Sequence, residues 1–149
     1  MVWRFWPVYA PGTAMFEPPA LTGRGAPPHA VVGVWQVWAD GAPFDHHVMT
    51  FNTEGTMLQS NPDAGNEHYS TSIGMGVWRA EGDLVVGRFL ETRAHRVTRI
   101  ALGCSIIRFT LRITLDEFTG HAVATNHDRH GATLGGSAAV TLRGTRFAE

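Results

Sequence analysis

Lysine is absent from this sequence, and cysteine is nearly so. All 12 basic residues are arginines, so catalysis through a lysine Schiff base is excluded. The absence of lysine also indicates a GC-rich bacterial genome. The single cysteine, Cys104, excludes an internal disulfide framework. Because a chain without disulfides is typical of a reducing compartment, we expect the protein to be cytoplasmic.

Long apolar runs and an excess of either charge are also absent. No stretch of about 20 apolar residues occurs, so we predict no membrane span, and the first 16 residues lack the uninterrupted apolar stretch of a signal peptide. The net charge of -1 argues against a nucleic-acid partner. With 149 residues, 44% of them hydrophobic, the chain is long enough for one domain with its own core.

The first 30 residues combine prolines with aromatic side chains. They hold six of the eight prolines, and such sequence does not form a central strand or the interior of a helix. The aromatic residues of this segment are Trp3, Phe5, Trp6, Tyr9 and Phe16. We interpret residues 1–30 as an extended arm that packs against the domain or against a partner subunit, the latter giving a homodimer. A partly disordered tail is the alternative. Residues 31–149 then form a single domain.

The rest of the chain has the apolar–polar alternation of β-strands and shows no helical period. The clearest case is the segment in which Phe109, Leu111 and Ile113 alternate with arginine and threonine, as in a strand with one buried and one solvated face. The predicted strands are approximately 31–38, 46–52, 56–60, 73–79, 84–91, 100–115, 118–126 and 137–146.

The connections between these strands alternate in length. The short turns are 53–55, 81–83 and 116–117. The longer loops are 39–45, 61–72, 92–99 and 127–136. In an up-and-down meander alternate connections lie at opposite ends, so the short turns close one end and the long loops surround a mouth at the other. The sequence therefore predicts an all-β, eight-stranded antiparallel up-and-down barrel.

Two features connect this pattern to a known family. Gly33-Val34-Trp35 opens the first strand, and Arg143 lies in the last one. This resembles the calycin superfamily, the lipocalins and related barrels, in which a Gly-x-Trp begins the first strand and an arginine of the last strand packs over the tryptophan. The resemblance implies that Arg143, or Arg146 as the alternative, makes a cation–π contact with Trp35 at the closed end.

Alternation also assigns the side chains that face the barrel interior. The interior is predicted to be apolar at the closed end and polar toward the mouth, and the small residues Gly120, Ala122 and Ala124 leave volume for a ligand. The predicted ligand-binding residues are Met49, Phe51, Gln59, Trp78, Phe89 and Asn126.

Glu91 and His47 are the candidate catalytic residues. A carboxyl group in an apolar cavity has a raised pKa, which suits it to general acid–base catalysis, and His47 is its candidate partner as a proton shuttle or ion pair. The competing interpretations are that Glu91 is solvated at the rim and that His47 is a structural histidine.

These residues support functions of three classes. The first is a binder or carrier of a small, largely apolar organic molecule. The second is an isomerase or cyclase that acts without a cofactor on a small apolar metabolite. The third is a structural or interaction protein whose barrel is filled by its own side chains. No metal is predicted, because none of the eight histidines has the spacing of a strong metal site.

Overall fold

The computed structural model describes residues 28–62 and 66–148. Residues 1–27 of the predicted arm, and with them its predicted role in a homodimer, lie outside the described residues. The part of the chain that is described forms strands and turns but no helix, and so contains no helix long and apolar enough to cross a membrane. The strands are β1 (Gly33–Asp40), β2 (His46–Phe51), β3 (Thr56–Ser60), β4 (Tyr69–Thr71), β5 (Gly74–Glu81), β6 (Leu84–His95), β7 (Ala101–Thr114), β8 (Glu117–His127) and β9 (Thr133–Arg146).

Eight of these strands close into an antiparallel barrel. Their order is β1-β2-β3-β5-β6-β7-β8-β9, and β9 pairs again with β1, where Trp35 lies opposite Arg146. The remaining strand, β4, pairs with the mouth end of β6, so that Tyr69 lies opposite His95. The predicted all-β, eight-stranded, up-and-down barrel is therefore confirmed.

Two connections at the mouth are shorter than the sequence predicts. β6 continues to His95 and β7 begins at Ala101, so the first half of the loop predicted at 92–99 belongs to a strand. Likewise, β8 and β9 are joined by residues 128–132 rather than by a loop over 127–136. The polar residues of these segments continue the backbone pairing, as where Thr92 lies opposite Cys104. The mouth is therefore flanked by two extended hairpins.

The closed end of the barrel is filled by large side chains. Trp35, Phe51 and Phe118 are at most 1% exposed, and the ring centroids of Trp35 and Phe118 are 5.1 Å apart. Phe51 lies edge-on to Phe109, with 6.0 Å between the ring centroids. A Cβ atom on Gly144 would lie 2.2 Å from the Phe118 ring, so this position needs glycine. The closed end thus has the dense packing of an ordinary protein core.

An arginine covers Trp35 at this end, and it is Arg146 rather than Arg143. The Arg146 guanidinium carbon lies 4.3 Å from the centroid of the Trp35 ring. It donates hydrogen bonds to the carbonyl of Val32 (3.0 Å) and to Asp116 Oδ1 (3.0 Å). Gly33 has φ +133°, and a Cβ there would lie 2.9 Å from Arg146 Nη1.

The expectation for Arg143 was wrong because of strand alternation. Leu142 and Gly144 are buried, so Arg146 shares their side of β9 while Arg143 lies on the solvent side. There Arg143 makes an exposed ion pair with Asp40 at 3.5 Å. The cation–π contact with Trp35 is therefore made by the arginine that follows the inward register of β9.

Candidate functional site

A cavity of about 230 Å³ occupies the mouth half of the barrel. It lies above the packed closed end, because it is lined by inward residues from the mouth halves of β1, β2, β6, β7, β8 and β9. The apolar lining includes Val37, Met49, Phe89, Ile107, Val140 and Leu142. On β8 the lining residues Ala122 and Ala124 are small and leave this space open. An apolar pocket of this size fits a small organic molecule, since an apolar cavity of roughly 150 Å³ already holds benzene.

Three polar side chains form a row across one wall of this cavity. Glu91 on β6 lies opposite Ser105 on β7, and Ser105 lies opposite Asn126 on β8. The Ser105 hydroxyl donates a hydrogen bond to Asn126 Oδ1 at 2.7 Å. All three residues line the cavity. We call Glu91, Ser105 and Asn126 the polar row.

Glu91 is the chemically unusual member of the polar row. Burial raises the pKa of its carboxyl group from 4.5 to about 7, and no charged group offsets this effect. Its carboxyl group makes no hydrogen bond or ion pair within the described part of the chain. At neutral pH both the protonated and the ionised forms are therefore populated, which is the condition a general acid or base requires.

His47 faces the cavity from β2, but both of its ring nitrogens already have partners. Nε2 donates to the carbonyl of Phe44 at 2.6 Å, and Nδ1 accepts from Gln59 Nε2 at 2.7 Å. Burial lowers the pKa of His47 below 6.5 and outweighs the opposing effect of the Phe44 hydrogen bond. The neutral tautomer protonated on Nε2 satisfies both contacts. In this arrangement His47 holds the β1–β2 connection against β3.

Gln59 lies behind His47, away from the cavity. It is 1% exposed and, besides the histidine, donates to Asn61 Oδ1 at 3.1 Å. Asn61 itself lines the cavity. The buried amide thus connects two lining residues that come from different elements, and it fixes their relative positions.

Apart from Gln59, which was predicted to bind the ligand but does not line the cavity, the structure separates the residues predicted for the site into two groups. Those that line the cavity are Glu91, His47, Met49, Phe89 and Asn126. Phe51 and Trp78 belong to the packed closed end instead, where the Trp78 indole donates to the carbonyls of Asn52 and Thr56, each at 3.1 Å. Binding and catalytic roles for all of these residues stay predictions.

Several lining residues were missed by the sequence analysis. Ser105 alternates with Ile107 and Phe109 and was detectable from that inward register. Phe44 and Tyr69 gave no such signal, because one lies in a loop and the other on the three-residue strand β4. Tyr69 also stacks beneath Arg93, whose guanidinium carbon is 5.6 Å from the ring centroid.

Metal ligands are not gathered in the part of the chain that the structure describes. There, no group of three histidine, cysteine or carboxylate side chains lies close enough together to hold an ion. His127, for example, contacts the Gly131 carbonyl at 3.3 Å within its own hairpin.

Comparison with protein-family models, with curated proteins and with solved structures finds no significant match to this chain. The cavity and its residues are therefore the basis on which a function is proposed.

Proposed function

We propose that the protein binds a small, largely apolar organic molecule in the mouth half of the barrel. The observation that carries this proposal is the cavity of about 230 Å³, which has apolar walls and a polar row on one side. Apolar surface supplies affinity in such pockets, and a few fixed polar groups orient the ligand.

The calycin resemblance supports the same function. The closed eight-stranded barrel and the cation–π contact of Arg146 with Trp35 agree with the pattern that led to the resemblance. We accordingly propose a calycin-like binder or carrier.

Glu91 favours a second candidate function, an isomerase or cyclase without a cofactor. Its pKa of about 7 suits proton transfer to or from a bound molecule. His47 is engaged by Phe44 and Gln59, so the proposed mechanism uses Glu91 alone as proton donor and acceptor. Asn126, two strands away in the polar row, supplies its amide N–H groups to a polar atom of the substrate.

A titration with 4-fluorotoluene, followed by ¹⁹F NMR, tests the binding proposal. We expect saturable binding to the wild type and loss of binding in Ala124→Leu, which places a larger side chain in the cavity. Thr125→Leu is the matched control, because it changes the next residue of β8, which points away from the interior. Absence of binding to the wild type would support a filled barrel. Equal binding to both variants would place the probe outside the cavity.

A further inference from the structure

The charge balance of the cavity distinguishes between classes of ligand. Glu91 is the one carboxyl group among the described lining residues, and arginine is not among them. The other titratable lining residues are Tyr69 and His47, and burial lowers the pKa of His47, which disfavours its charged form. The chain has no lysine. Among the described lining residues, the cavity therefore carries one group that can be negatively charged, Glu91, and no arginine or lysine to balance it.

Arg93, the next inward residue on β6 after Glu91, carries a positive charge, but it makes no ion pair with Glu91 within the described residues, and burial alone raises the pKa of that carboxyl group. Arg93 donates from Nη2 to the carbonyl of His127 at 3.2 Å and stacks on Tyr69. It is not among the residues that line the cavity. A carboxylate ligand would thus face Glu91 without a counter-ion, which is unfavourable at a site partly removed from water.

The polar row also offers mainly acceptors. The Ser105 hydroxyl proton is used on Asn126 Oδ1, which leaves lone pairs on the Ser105 oxygen. The ionised carboxyl of Glu91 is an acceptor only. A ligand whose polar group has several hydrogen-bond donors can satisfy the acceptors of both Glu91 and Ser105. An ammonium group has up to three such donors.

We propose that the ligand is an organic amine whose protonated nitrogen pairs with Glu91 and donates to Ser105, while its apolar body fills the space toward Met49 and Leu142. This inference rests on the proposed function. Phe89, the inward residue that precedes Glu91 on β6, provides an aromatic surface beside the ammonium group. An alcohol would fill the same space but leave the charge of the half-buried Glu91 carboxylate without a counter-ion.

Three probes of nearly equal shape test this inference by calorimetric titration at pH 8.5: cyclohexylmethylamine, cyclohexylmethanol and cyclohexanecarboxylate. We expect the amine to bind the wild type about tenfold more tightly than the alcohol, since a charge-assisted hydrogen bond exceeds a neutral one by roughly that factor. The carboxylate should bind most weakly. In Glu91→Gln the preference for the amine should disappear while the alcohol still binds. Glu54→Gln, which removes the same charge from an exposed turn at the closed end, should keep the preference.

Each other outcome overturns the inference. If the alcohol or the carboxylate binds as tightly as the amine, the ligand class is wrong although the cavity still binds apolar molecules. If the amine preference persists in Glu91→Gln, the carboxylate does not recognise the ammonium group. If none of the three binds while 4-fluorotoluene does, the amine inference alone fails. Failure of 4-fluorotoluene would instead overturn the proposed function.

Discussion

The closed half and the mouth half of the barrel are built from the same strands, yet one is packed and the other is open. On β8 the closed half contributes Phe118 and the mouth half contributes Ala122 and Ala124. On β6 the inward side runs from Val85 through Phe89 to Glu91. The fold is the same in both halves, so side-chain volume and polarity alone decide where a ligand fits. The packing that stabilises the fold and the cavity proposed to bind a ligand thereby lie at different ends of the same strands.

Removing a large side chain from the closed half should reduce the stability of the fold more than any other change considered below. Phe118→Ala removes a side chain that is 1% exposed and packs on Trp35, and we expect the free energy of unfolding to fall by about 3–5 kcal/mol. Val140→Ala in the cavity wall should cost only about 1 kcal/mol, because its side chain already borders on open space. Urea denaturation measures both losses. Equal losses would mean that the two halves are packed alike.

The mouth half should be sensitive to pH through Glu91. Burial raises its folded-state pKa from 4.5 to about 7, so the folded protein holds this proton more tightly than the unfolded chain. Stability from this group is therefore lost as the pH rises from about 4.5 to 7. At pH 8.5 Glu91→Gln should be more stable than the wild type by up to about 3 kcal/mol, an upper limit because the carboxyl retains some contact with solvent.

Calorimetric melting of both proteins between pH 5 and 9 tests whether the stability of the wild type falls relative to that of Glu91→Gln as the pH rises. The difference in Tm between Glu91→Gln and the wild type should grow with pH and level off above the pKa of about 7. If the two curves of Tm against pH stay parallel, Glu91 is well solvated at the mouth. Using the difference between the two proteins cancels the contribution of His47, whose lowered pKa acts in the opposite direction.

The two arginines of β9 provide a smaller, matched test within the closed half. Arg146→Gln loses the contact with Trp35 and the bond to the Val32 carbonyl, and we expect a cost of about 1–2 kcal/mol. Arg143→Gln removes only an exposed ion pair with Asp40 and should change stability by less than about 0.5 kcal/mol. Thermal unfolding distinguishes them. A larger cost for Arg143 would contradict the assignment of Arg146 as the residue that covers the tryptophan.

The barrel was predictable because its signal is local. Alternation along each strand and turn residues between strands determine the strand count, and the inward position of Glu91 follows from Val85 and Phe89 on the same strand. The same alternation identifies Arg146, which lies two residues beyond the buried Gly144, whereas Arg143 is out of phase. Arg143 was predicted to cover Trp35 from the family pattern, without use of the inward register of β9.

The partners of the site residues were not predictable in the same way. His47 is engaged by a carbonyl of its own loop and by Gln59, 12 residues further along the chain. The contact with Phe44 has no periodic signal, because it depends on how the 41–45 loop turns. The contact with Gln59 depends on the register of β2 with β3, in which Met49 lies opposite Gln59. Tyr69 reaches the cavity only because a three-residue strand pairs with the extended end of β6. Such contacts depend on loop conformation and on strand ends, which hydrophobic patterning describes poorly.

The junction of β1 with β9 has a consequence for the order of folding. It pairs residues 35–40 with the last strand of the chain, so Trp35 meets Arg146 across most of the sequence. Contacts so distant in sequence form slowly, because the entropy of closing a long loop is lost before they form. The hairpins β5–β6, β6–β7, β7–β8 and β8–β9 close far shorter loops. We therefore expect the sheet to form first as an open, curved meander that closes last at this junction. Until then the edges of β1 and β9 are exposed to pairing with other chains.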